Sequence, residues 1–331
     1  MLKQVSGDFG QVCAFDWKPS QIPDQTGRTA VVTGASSGLG TVVAHALAQR
    51  GATVVMAVRD TRKGEDVRSK LAGGALAERL EVRKLDLIDL ESVRQFADDL
   101  LAEHGSIDVL VNNAGIAYEP YRLSPQGVES TFATNFLGHF ALTGLLFEAL
   151  ERGNEARVVS VGSHLYSRVK VTLPLDDPAR EYSPAKAYIA SKLANLVFAI
   201  ELQRRLEAAA STIRSLAAHP GVAATPMQQQ AKKAHERAFG RMMSLLVGRS
   251  AEAGAIPLLF AATAAEAPSG VFLGPSLKKW DFRVHADALQ PPADDPALAR
   301  RLWQAAERAA GAPFHSGSMG VANDAGIAQR P

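Results

Sequence analysis

The sequence predicts a doubly wound, parallel α/β sheet in a single domain with a small helical lid. Two patterns and one scale predict it. Short β-branched runs alternate with longer helix-like segments, and a glycine-rich turn joins the first run to the first helix. A chain of 331 residues can bury a large core, and α/β folds often use about 250 residues as one domain. Strict βαβα alternation with right-handed crossovers stacks helices on both faces of one sheet.

The first strand is Thr29–Val32, followed by a helix over Gly38–Gln49. Thr53–Val58 is the next strand, then a charged helix over Arg62–Leu71. Leu80–Leu85 and Ile107–Val111 are strands around a helix at Leu90–Glu103, for which Asp89 is the better N-cap. A long helix is expected over Pro125–Leu150, a strand at Arg157–Val161, a helix at Pro184–Ala209 and a sixth strand at Ile213–Ala217. Residues 1–25 carry Pro19 and Pro23 and read as an arm, so the domain spans 26–310. Residues 311–331 are rich in Gly, Ser, Ala and Asn and read as a disordered tail. Residues 223–248 combine three glutamines, several cations and an apolar Met242–Val247 stretch; they read as a lid or, equally, as a packed surface helix.

Composition narrows the class of protein. With 47% hydrophobic and 21% charged residues the chain is ordinary and globular. A net charge of +2 without a basic stripe argues against a nucleic-acid partner. The single cysteine, Cys13, fits a reducing compartment. The N-terminus has no signal-peptide pattern, and no apolar run approaches the roughly 20 residues of a spanning helix. A soluble, cytoplasmic protein without a membrane anchor is expected. Oligomeric state is left open, a homo-oligomer included.

The first strand feeds into Thr33-Gly34-Ala35-Ser36-Ser37-Gly38-Leu39-Gly40. Glycines there let the backbone turn sharply against a pyrophosphate, and the following helix aims free N–H groups and its positive dipole end at the phosphates. The second strand ends at Val58, before Arg59. An arginine there suits the 2′-phosphate of NADP, whereas an acid would bind the ribose of NAD. Asp60 follows, so NADP(H) is favoured and NAD(H) stays open; Arg59 could also simply cap a loop. Asp86, with Leu87, is placed to reach the adenine amine or to cap the next helix. Asn112-Asn113-Ala114-Gly115 closes the fourth strand with small residues for close cofactor approach and amides for loop carbonyls.

Tyr188 and Lys192 lie four residues apart on one helix face. A tyrosine near pKa ~10 is a weak base at neutral pH, and a nearby ammonium would lower that value. Ser163, at the carboxyl end of the fifth strand, can orient a substrate oxygen toward Tyr188; Ser160, inside the strand, suits a structural role. Asn135 is a poor mid-helix residue, and a water linking it to Lys192 would complete a proton relay; a solvent-facing Asn135 is the alternative. His139, His164 and His219 show no metal-ligand spacing, so no metal is expected; His164 could line the substrate pocket.

In this order, the Thr33–Gly40 turn, Asp86, Asn112–Gly115, Asn135, Ser163, Tyr188 with Lys192, and Pro220-Gly221 resemble the short-chain dehydrogenase/reductase family over residues 26–275. The resemblance implies a Rossmann fold, a catalytic tetrad of Asn135, Ser163, Tyr188 and Lys192, and nicotinamide contacts from Pro220, Gly221, Val222 and Thr225. A narrower likeness is to the retinol dehydrogenase and protochlorophyllide reductase-like branch. It rests on the 25-position spacing from Ser163 to Tyr188, on Tyr182-Ser183-Pro184, on Ser191–Asn195 and on Ala57-Val58-Arg59-Asp60. That likeness implies NADP(H) and a small-molecule carbonyl or alcohol, bulky and lipophilic. Ser37 departs from the basic residue that some NADP-preferring relatives carry there. Reduction of a conjugated carbon–carbon double bond, or a non-catalytic NADP(H)-binding sensor, are the other readings.

Overall fold

The structure is a computed structural model and describes residues 11–71, 73–167, 182–221, 250–276, 281 and 283–314. The predicted lid at 223–248, Val222 and Thr225 lie outside the described residues, as do 315–331 of the predicted tail.

The strands are β1 (Gln11–Phe15), β2 (Thr29–Thr33), β3 (Thr53–Val58), β4 (Leu80–Lys84), β5 (Val109–Asn112), β6 (Arg157–Val161), β7 (Arg214–Ala218), β8 (Phe272–Pro275) and β9 (Val284–Asp287). They form one sheet in the order β1-β9-β8-β7-β6-β5-β2-β3-β4, and every pairing from β4 to β8 is parallel. Strand order reverses between β2 and β5, which opens a crevice at their carboxyl ends. Successive strand residues face opposite sides: Val31 joins one core layer, Ala30 and Val32 the other. Burial on both faces is why these strands read as continuous apolar runs.

The helices are α1 (Gly38–Gln49), α2 (Thr61–Leu71), α3 (Leu90–Glu103), α4 (Ser130–Phe132), α5 (Gly138–Leu145), α6 (Phe147–Glu151), α7 (Pro184–Ala208), α8 (Ala251–Thr263) and α9 (Pro296–Ala310). Helices α1 and α8 cover one face of the sheet, while α3, α5, α7 and α9 cover the other. Among the described residues no helix is long and apolar enough to cross a membrane. Asp89 caps α3, accepting from Glu91 N.

The structure differs from the sequence expectations in three places. The helix expected over 125–150 starts at Ser130, where the Glu129 carboxylate caps it, and a π-helical turn over Ala133–Leu137 interrupts it. The segment read as an arm supplies β1, which pairs antiparallel with β9, and it buries Trp17 and Ile22. Trp17 packs edge-on against Phe260 of α8 at 5.6 Å. The segment read as a tail begins with Gly311, the left-handed C-cap of α9 (φ 71°), and then sinks Phe314 into the core. Phe314 stands 4.7 Å from Trp303 and 5.0 Å from Phe140 between ring centroids.

Candidate active site

The glycine turn is built from the end of β2. Gly34 (φ 68°) and Gly38 (φ 56°) take left-handed backbone that favours glycine. A Cβ on Gly40 would meet the Gly34 carbonyl oxygen at 2.5 Å, so Gly40 packs the start of α1 beneath the turn. Gly34 N donates to Ala57 O at 2.8 Å, and the Asn113 side-chain amide donates to Thr33 O at 2.8 Å. Ser37 is the N-cap of α1 but makes no side-chain cap bond, so its side chain leaves the first N–H groups of the helix uncapped.

Here a groove of about 530 Å³ opens along the carboxyl edge of the sheet. Gly34, Ser36, Ser37, Gly38 and Leu39 line its middle. Arg59, Asp60 and Lys63 stand at one end with Asp86 and Leu87, and Tyr188, Lys192, Pro220 and Gly221 stand at the other. Asn113, Ala114 and Gly115 form the floor between the two ends. The residues fit a dinucleotide: a Cβ-free turn at a helix N-terminus suits a pyrophosphate, and the groove has the size of a small-ligand site. Of the predicted contacts, Gly40 and Asn112 do not line the groove. Asn112 alternates with Asn113 along the strand, so it points into the core and donates to Thr143 Oγ1 at 3.0 Å. Lys63, Ile116, Thr134 and Val161 also line the groove; nothing in their local sequence marks them.

At the chemical end, Ser183 caps α7 and Pro184 occupies its first turn, which fixes where the helix starts. One helical turn separates Tyr188 from Lys192. Lys192 is buried and donates from Nζ to Val161 O at 3.0 Å. Burial pushes its ammonium down to about 8. Burial also pushes the Tyr188 phenol up to about 12; the adjacent Tyr118 adds to this and the Ser163 hydroxyl opposes it. The expected lowering of Tyr188 by the Lys192 charge is therefore not met. The loss of water around each group is the first cause of its shift, and neither group shifts the other. Ser163 follows β6 and receives the Leu165 amide at 3.3 Å. Ser160, inside β6, is buried, and its hydroxyl has no hydrogen-bond partner among the described residues.

Asn135 sits in the π-helical turn, where Gly138 N reaches back five residues to Ala133 O. It is fully buried, not solvent-facing. Its Oδ1 accepts from Ile116 N at 2.7 Å, and its Nδ2 donates to Ile116 O and Ser191 Oγ, both at 2.9 Å. Both amide hydrogens are thus used to join β5's exit loop to α7. His139 completes the support. Thr33 Oγ1 accepts from the Asn113 and Ala114 amides at 2.9 Å and lies 2.9 Å from His139 Nε2. With both its lone pairs taken, Thr33 gives its proton to Nε2, and the ring donates from Nδ1 to Asn135 O at 2.9 Å. Burial pushes His139 down to about 4, which keeps this neutral tautomer.

His164, His219 and Asp287 come together with ligand atoms within 4.8 Å, a cluster that sequence spacing did not reveal. His164 Nε2 lies 3.1 Å from Asp287 Oδ2. Gly221 N donates to His219 Nδ1 at 3.0 Å, so the neutral ring carries its proton on Nε2 and has no lone pair for a metal. The group reads as support for the Pro220-Gly221 turn.

The sequence model of short chain dehydrogenases matches residues 28–236. Mouse polyprenol dehydrogenase is 38% identical over 94% of this chain and 90% of its own length. Human retinol dehydrogenase 13 is 35% identical over 86% of this chain and 85% of its own. A crystal structure of an uncharacterized protein from Mycobacterium paratuberculosis is 41% identical, with a TM-score of 0.73 over 90% of this chain and 98% of that one. A short chain dehydrogenase from Burkholderia cenocepacia J2315, solved in complex with NADP, is 27% identical with a TM-score of 0.61 over 76% of this chain and 97% of its own. Nucleotide groove, motif order and relatives agree: the chain is an oxidoreductase that belongs to the short-chain dehydrogenase family, in its retinol dehydrogenase-like branch.

Proposed function

We propose that the protein interconverts a carbonyl and an alcohol on a bulky lipophilic molecule, prefers NADP(H), and uses Tyr188 as its general acid/base. The observation that carries this reading is that Tyr188 and Lys192 line the groove at the end away from Arg59 and Lys63, with the Ser163 hydroxyl hydrogen-bonded to Tyr188. When bound, the dinucleotide supplies or accepts the hydride at its nicotinamide ring. Tyr188 then gives its phenolic proton to the carbonyl oxygen as the carbon gains hydride, so the C=O bond becomes H–C–O–H. Ser163 holds the same oxygen, and Lys192 stabilises the phenolate left behind. Arg59 and Lys63 would pair with a 2′-phosphate. The lipophilic substrate is supported by the retinol and polyprenol dehydrogenase relatives and by the exposed Leu165 two residues from Ser163.

The test is nicotinamide absorbance with NADPH or NADH and a panel of bulky aldehydes. NADPH consumption by the wild type is expected. Tyr188→Phe should lose turnover by about 10²–10⁴-fold with NADPH affinity nearly unchanged. Retained turnover in that variant would remove Tyr188 from its role.

A further inference from the structure

Ser163 leaves β6 into a single 3₁₀ turn over His164–Ser167. The two bonds that reach back to Ser163 are long: Leu165 N donates to its Oγ at 3.3 Å and Tyr166 N to its carbonyl at 3.4 Å. Bonds of that length hold a loop weakly. The Tyr166 hydroxyl accepts from Gln290 N at 3.4 Å, which is no shorter. The shorter ties converge on His164. Ser167 Oγ donates to its carbonyl at 3.0 Å, and its Nε2 lies 3.1 Å from Oδ2 of Asp287, the last residue of β9. A carboxylate only accepts, so the ring donates. The two side chains are 21% and 14% exposed, so water screens this pair less than it does a surface ion pair. The rest of the ring is walled in. His219 packs edge-on at 4.1 Å between centroids and 84°, and Phe272 lies at 5.3 Å. His219 fits there only because residue 274 is glycine, whose Cβ would fall on the imidazole.

We propose that Asp287 is a positioning residue for Ser163: through His164 it holds the turn in which the Leu165 amide meets the Ser163 hydroxyl. This rests on the reading of Ser163 as the group that holds the substrate oxygen. Ser163 Oγ has one proton and two lone pairs. The Leu165 amide takes one lone pair, which limits the rotation of the hydroxyl while it bonds Tyr188. Without the Asp287 anchor the 3.3 Å bond is the first to open, and the hydroxyl turns freely. A misplacement of about 1 Å at a reacting centre costs on the order of a hundredfold in rate. Asp287 stands 123 positions from His164, so only the fold brings them together.

Two readouts test this on the full chain. The first needs no substrate. Hydrogen exchange at the Leu165 amide should quicken roughly tenfold in Asp287→Ala, the effect of losing one charge-assisted hydrogen bond. It should return to the wild-type rate in Asp287→Asn, which keeps an acceptor oxygen. The second is a double-mutant cycle on NADPH-dependent reduction of retinal, a probe chosen from the retinol dehydrogenase relatives, followed as single turnovers so that slow variants report. Asp287→Ala should slow the reaction about ten- to hundredfold. In a Ser163→Ala background the same change should cost no more than about twofold, because the group it positions is gone. A purely structural role would cost the same in both backgrounds. His164→Phe fills the same space without the bond; it should repeat Asp287→Ala and replaces it in both readouts if that variant fails to fold. Unchanged Leu165 exchange, equal losses in the two backgrounds, or Asp287→Asn as poor as the alanine variant overturns the proposal. Failure of the Ser163 reading shows separately, as full turnover in Ser163→Ala.

Discussion

The Asn135 side chain donates to Ser191 Oγ at 2.9 Å, and Ser191 Oγ donates onward to the Tyr188 carbonyl at 2.7 Å. The π-helical turn is thus tied to α7 at the residue just before Lys192. Ser191→Ala breaks this tie and leaves a buried amide hydrogen unpaired. We expect a loss of about 1–3 kcal/mol in chemical denaturation. A fall in kcat with little change in cofactor affinity should accompany it, because the cofactor turn lies elsewhere.

His139 gives a pH prediction. Its folded pKa of about 4 lies below the ordinary 6.5, so between these values the unfolded chain binds a proton that the folded chain refuses. Stability from this site is complete above about 6.5 and is lost as pH falls toward about 4. From pH 7 to pH 5 the wild type should lose about 2 kcal/mol more than His139→Gln in urea denaturation. His219 is pushed down by burial in the same way, so some slope should persist in the variant. Equal slopes in the two proteins would show that His139 is not held neutral.

Arg59 is exposed at the end of the groove, beside Lys63. Arg59→Ala should raise KM for NADPH roughly ten- to hundredfold, the range of one or two lost charge-assisted hydrogen bonds, and change KM for NADH little. Steady-state kinetics with both cofactors checks this. Equal effects on both would argue that Arg59 merely shapes the loop.

Phe314 packs against Phe140, Phe147, Phe198 and Trp303. Phe314→Ala should cost about 3–5 kcal/mol in denaturation. A cost near that of a surface change would place the residue in the tail after all.

The six parallel strands β2 to β7 were legible, and in all but the edge strand β4 burial on both faces writes them as apolar runs. The short strand β8 was not: Phe272–Pro275 contains Gly274 and Pro275, which read as a turn. The break in the long helix depends on what Asn135 can bond across space, and no local propensity encodes that. Motif order named residues, from Gly34 to Gly221, most of which the fold brings to one groove. It missed the direction in which Tyr188 is shifted, because that follows from how deeply the assembled fold buries the phenol.

The pairing of β1 with β9 bears on how the chain is made. Cys13 aligns with Ala286, so a segment synthesised early finds its partner only after nearly the whole domain has left the ribosome. Until then Gln11–Phe15 has no strand beside it, and Trp17 lacks the α8 surface that shelters it. This closure has the longest sequence separation in the sheet, so it carries the largest loop-closure entropy of any strand pairing here.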